Sequence, residues 1–171
     1  MMGSTKARPD VSPSEDQTDA EPDFVIAGLS VWIVGPQVYD DGHIDDDWLD
    51  MHAVAAAPGT RIEVRGSFLR RSDFERFALG LAGLYRDLSG LAVLDSPEPD
   101  MGLEVYGDGM GHITAKLQIT PDYMDQRHQV TWHIDQTLLS ACMKQLGQLL
   151  ARQSKNRTRE STPPPAHPAP R

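Results

Sequence analysis

The chain has 171 residues, 39% of them apolar, and carries 25 acidic against 16 basic side chains, for a formal charge of −9. That length fits one domain with tails, and the acidic balance argues against direct binding to nucleic acid or to an anionic membrane. Cys142 is the only cysteine, which excludes an internal disulfide and points to a reducing compartment.

Residues 1–22 are polar and too poor in apolar side chains to offset their ordering entropy, so they are expected to form a disordered tail. They lack the apolar stretch of a signal peptide, and nothing in the chain approaches a membrane span; a cytoplasmic location is expected. The first strand is FVIAGLSVWIV (24–34), bounded by Pro22 and Gly35-Pro36. YDDGHIDDDWLD (39–50) follows, with six aspartates and no basic residue. WLDMHAVAAA (48–57) reads as a weaker strand closed by Pro58-Gly59. In TRIEVRGSFL (60–69), Ile62, Val64 and Phe68 alternate with Arg61, Glu63, Arg65 and Ser67, the period of a half-buried antiparallel strand.

The period changes at Ser72, where SDFE reads as a capping box. Phe74, Phe77, Ala78, Leu81, Leu84, Tyr85 and Leu88 then form one apolar stripe, and Gly90 stands where a C′ glycine closes a helix. Short strands are expected at LAVLD (91–95) and, beyond the proline-broken SPEPD, at MGLEVYG (101–107). Gly107-Asp108-Gly109 turns the chain into GHITAKLQIT (111–120), and HQVTWHI (128–134) alternates in the same way. The last helix opens at Asp135 and buries Leu138, Leu139, Cys142, Met143, Leu146, Leu149 and Leu150. Residues 154–171 become polar and then proline-rich, and a second disordered tail is expected there.

These elements predict an α+β fold: one antiparallel sheet of about six to seven strands with two amphipathic helices on one face, all within residues 23–153. That stretch holds 19 of the acids and 10 of the bases, so the net charge belongs to the domain.

The aspartates of 39–50 have three readings: a metal site, a solvated loop, or a surface for a basic partner. Neither Asp41 nor Asp45 starts an EF-hand, because Asp46 and Asp50 occupy the required glycine position. His112 and His133 lie on the polar sides of their strands and could face each other in an acid–base or metal pair; cross-strand polar pairs on a wet face are the commoner outcome. Arg61, Arg65, Arg70, Arg71 and Arg76 are interleaved with Glu63, Asp73 and Glu75, which points to local ion pairing rather than a nucleic-acid patch. No nucleophile elbow, phosphate loop or dinucleotide fingerprint is present.

The early strand, Asp46-Asp47-Trp48-Leu49, FLRRSDFERFALGL, GHITAKLQI and HIDQTLLSACMKQLGQLL together resemble the WapI-type immunity proteins of bacteria over about residues 24–151. Members of that family protect a cell from its own polymorphic toxin, often a nuclease, by binding it. The resemblance implies a non-enzymatic protein with no catalytic residue, cofactor or metal, and a cognate toxin domain as partner. On charge alone, the expected contact residues are Asp40, Asp41, Asp45, Asp46, Asp47, Trp48 and Asp50. A generic bacterial scaffold domain without a toxin partner is the alternative. A metal-dependent enzyme using His112 and His133 or the 40–50 aspartates is a third reading.

Overall fold

The computed structural model describes residues 20–39, 41–122 and 124–160. In chain order these form β1 (Phe24–Ile26), β2 (Leu29–Val38), β3 (Ile44–Ala57), β4 (Thr60–Arg70) and α1 (Arg71–Asp87). Then come β5 (Ser89–Asp95), β6 (Met101–Asp108), β7 (Ile113–Ile119), β8 (His128–Ile134) and α2 (Gln136–Glu160). Every strand pairs antiparallel with its sequence neighbour. The fold is α+β with two helices, as expected. The strands number eight and are divided between two four-stranded meanders, β1-β2-β3-β4 and β5-β6-β7-β8, where the sequence suggested six to seven in one sheet. The division has a physical cause: α1 sits between the meanders and packs against β3 and β4 of one and β5 and β6 of the other.

The inner faces of both sheets and the apolar stripes of both helices close into a single core. Phe24 meets the rings of Phe74 and Phe77 edge-on, with centroids 6.4 and 6.0 Å away; each such pair adds roughly 0.5–1.5 kcal/mol beyond its buried area. Met101, Leu103 and Val105 of β6 and Ile113, Ala115, Leu117 and Ile119 of β7 are buried at alternate positions. From α2, Leu139, Cys142, Leu146 and Leu149 seal the core.

Four local features depart from the sequence reading. The expected strand 24–34 is two strands, because Ala27 turns left-handed (φ +51°) and Gly28 makes a hairpin. A side chain at Gly28 would collide with the Ala56 carbonyl and come within 2.8 Å of Trp132 Nε1, so the close approach of β8 to this turn requires glycine. β3 begins at Ile44 rather than 48 and takes the aspartates into a strand. α1 starts at Arg71, so Ser72 is not its N-cap; the Asp73 carboxylate accepts the Arg70 N–H at 2.8 Å instead. Its C-terminus is closed by Leu88 in the left-handed conformation, and Gly90 already belongs to β5. Finally, α2 runs to Glu160, so 154–160 are helical rather than tail; Ser154 accepts from Arg71 Nη2 at 3.0 Å. The expected tail segments 1–19 and 161–171 lie outside the described residues.

Candidate functional site

β2 and β3 are joined by a tight turn in which Gly42 N–H donates to the Tyr39 carbonyl at 2.9 Å and Tyr39 N–H to the His43 carbonyl at 2.8 Å. Asp40 lies outside the described residues. Asp41 sits in the turn, exposed, and accepts the His43 N–H at 2.9 Å. Asp45 is half-buried and accepts the Asp47 N–H at 3.1 Å. Asp46 is in β3, and its side chain is not described. Asp47 reaches α1, taking the Ser72 N–H at 3.2 Å and its hydroxyl at 3.0 Å. Asp50 accepts the Ser67 hydroxyl from β4. Trp48 is half-buried, with the Arg70 guanidinium 5.5 Å above its ring. Among the segment's described acidic side chains, Asp45, Asp47 and Asp50 are half-buried and hydrogen-bonded within the chain, and Asp41 is exposed; Trp48 is half-buried.

Trp48 and Tyr39 form one wall of a cleft of about 970 Å³, where Glu98, Asp100 and Asp122 come from the loops at the end of the second sheet. The floor includes Glu63 and Arg65 of β4. Burial alone would raise the Glu63 pKa, but the Arg65 hydrogen bond (Nη2 to Oε1, 2.8 Å) and the neighbouring His52 hold it below the usual range. His52, 1% exposed, stacks on Trp32 at 5.0 Å and puts Nε2 2.8 Å from Glu63 Oε1 without hydrogen-bond alignment. Its pKa is lowered, first by burial and then by the charge of Arg65, with Glu63 opposing.

The paired histidines of the sequence reading do not face each other. The register sets His133 opposite Thr114, and His112 Nδ1 lies 2.8 Å from Asp108 Oδ2 in the β6–β7 turn. The backbone N–H of Met110 first, then the His112 imidazole, keep the Asp108 carboxyl below its ordinary range. Among the described residues, no group of three or more His, Cys, Asp or Glu is arranged to hold a metal ion. The arginines pair locally as expected: Arg61 and Arg65 with Glu63, Arg70 and Arg76 with Asp73, and Arg71 with Glu75.

Sequence reasoning overlooked Asp95, Glu98, Asp100 and Glu104. Among the described residues, none of these four side chains has an ion-pair or hydrogen-bond partner; Asp95, Glu98 and Asp100 lie at the connection between β5 and β6, and Glu104 lies in β6. The signal was present in SPEPD, an acidic segment with prolines and no nearby arginine.

The profile of the immunity protein WapI-like family matches residues 24–153. No curated protein matches. Among solved structures, the CdiA-CT/CdiI toxin and immunity complex from Enterobacter cloacae aligns at TM-score 0.41 and 9% identity, over 70% of this chain and 99% of that one. The plant transcriptional regulator PBF-2 aligns at 0.44 and 11%, over 80% and 90%. WHY1 from Arabidopsis thaliana aligns at 0.40 and 12%, over 81% and 90%. Scores this low carry no argument about function.

Proposed function

Because the chain belongs to the immunity protein WapI-like family over residues 24–153, we propose that it neutralises a cognate toxin domain by binding it, without chemistry of its own. The family match is the observation that carries this reading. The charge of −9 and the carboxylates of the wide cleft favour a basic toxin face, of the kind a nuclease uses to grip phosphate. On this reading nucleic acid and membrane are not partners, and the protein acts in the cytoplasm. Among the described residues no helix is long and apolar enough to cross a membrane.

Within the expected segment, Trp48 is the anchor and Asp41 a charged contact, while Asp45, Asp47 and Asp50 hold the segment in shape. An aromatic ring between a guanidinium and an open cleft has the character of an interface hot spot. The test is interferometry between the full chain and the toxin domain encoded in the adjacent reading frame. Wild type should bind, with association slowed by salt. Trp48→Ala should weaken binding by about tenfold or more. Absence of any wild-type binding would remove the proposed function; an unaffected Trp48→Ala would remove only the anchor.

A further inference from the structure

The helices cover the inner face of the second sheet, where Ala92 and Leu94 of β5 are sealed in the core. The opposite face carries three large apolar side chains on neighbouring positions: Leu91 (55% exposed), Val93 (41%) and Tyr106 (53%). Leu91 stands directly across from Tyr106 in the β5–β6 register, and Val93 across from Glu104. On the first sheet, the matching outer face is closed by the Trp32–His52 stack and the Glu63 ion pairs. Exposed apolar residues beside an edge strand are a liability unless something covers them.

Beside this patch lies a smaller cleft of about 350 Å³, lined by Val93, Asp95, Glu98, Glu104, Lys116 and Gln118 among others. Among the described residues its three carboxylates have no ion-pair partner, although Lys116 is cross-strand from Glu104. Gly102 lines the same cleft, where a Cβ would lie 3.3 Å from Asp95 Oδ1. The wall is held in place before any partner arrives. Ser96 Oγ donates to the Phe68 carbonyl and accepts the Glu98 N–H at 3.0 Å, while Ser96 N–H donates to the Met101 carbonyl at 3.2 Å. A fixed wall lowers the ordering cost of association.

We propose that the outer face of β5 and β6 is a docking surface for an arginine- or lysine-bearing loop of the protein partner, its alkyl stem on Leu91, Val93 and Tyr106 and its cation among Asp95, Glu98 and Glu104. A long basic side chain has the two halves this surface asks for, an apolar stem and a charged head. The inference rests on the proposed toxin-binding function and names a contact surface for it that adjoins the Trp48 cleft and shares Glu98 with it.

The test uses the full chain and the same toxin domain. Glu98→Gln with Glu104→Gln should weaken binding about tenfold, and Leu91→Ser with Tyr106→Ala by a similar factor. Hydrogen exchange on the unaltered protein gives a readout that no folding defect can imitate: amides of 91–106 should gain protection in the complex. Binding within twofold of wild type for both pairs, with protection confined to other segments, would overturn the surface and leave the function standing. No complex with the wild type would overturn the function itself and this surface with it. A dimer of the chain that the Leu91→Ser, Tyr106→Ala pair dissolves, with toxin binding unchanged, would assign the face to a second copy and also overturn the proposal.

Discussion

Asp47, in β3, holds the first turn of α1 through Ser72, taking its N–H at 3.2 Å on one carboxylate oxygen and its hydroxyl at 3.0 Å on the other. The first N–H groups of a helix have no intrahelical acceptor, and the dipole there favours a negative charge. A strand from 25 residues earlier in the chain supplies both.

Asp47 is therefore predicted to act on stability and not on partner affinity. Asp47→Ala should lower unfolding free energy by about 1–2 kcal/mol in urea, the usual cost of losing an N-terminal helix acceptor. Asp41→Ala, in an exposed turn, should leave stability within about 0.5 kcal/mol. Equal effects of the two substitutions would show that the Asp47–Ser72 contact contributes nothing to the fold.

His52 predicts a pH dependence with a definite sign. Its folded pKa lies below the ordinary 6.5, because burial and Arg65 resist the charged form. Above pH 6.5 the imidazole is neutral in both states, and the full stability is present. As pH falls below that value, the unfolded chain takes up a proton that the folded chain resists, so stability is lost until the folded pKa is passed. Glu63 stays ionised through this window, since its own pKa is held down. Urea unfolding at pH 7.5 and 5.5 should show a larger loss for wild type than for His52→Phe, which keeps the ring against Trp32. The same loss in both would place the titration elsewhere.

Cys142 lies in the core stripe of α2, and burial pushes its thiol up to about 12. An aromatic disulfide reagent at pH 8 should react with the native protein at least about a hundredfold more slowly than with the urea-unfolded chain, because the thiolate forms only on opening. Comparable rates would mean that α2 is loosely docked.

Much of this fold was legible in local periods. The stripe from Phe74 to Leu84, the alternation of Ile113 to Ile119 and the Asp135 cap are local patterns, and the structure contains all three. What escaped was set by distant contacts. The break at Ala27-Gly28 carries no strong turn signal, and glycine is required there because Ala56 and Trp132 come close. The aspartates of 44–50 hide a strand because charge lowers β-propensity, yet Ser67 and Ser72 satisfy Asp50 and Asp47. For the same reason the densest acidic run was a poor guide to carboxylates without hydrogen-bond partners. Counting acidic residues cannot separate Asp47, which holds a helix end, from Glu98, whose side chain has no partner among the described residues; only the fold makes that distinction.

The most direct measurement is a titration of toxin activity with the purified full-length chain, using the toxin domain of the adjacent reading frame. A protein that acts by occupying its partner should abolish activity at one chain per toxin, saturably, with full activity regained when the two are separated. Toxin that stays active at excess chain would contradict the account. So would toxin permanently inactivated by far less than one equivalent, because that result requires turnover.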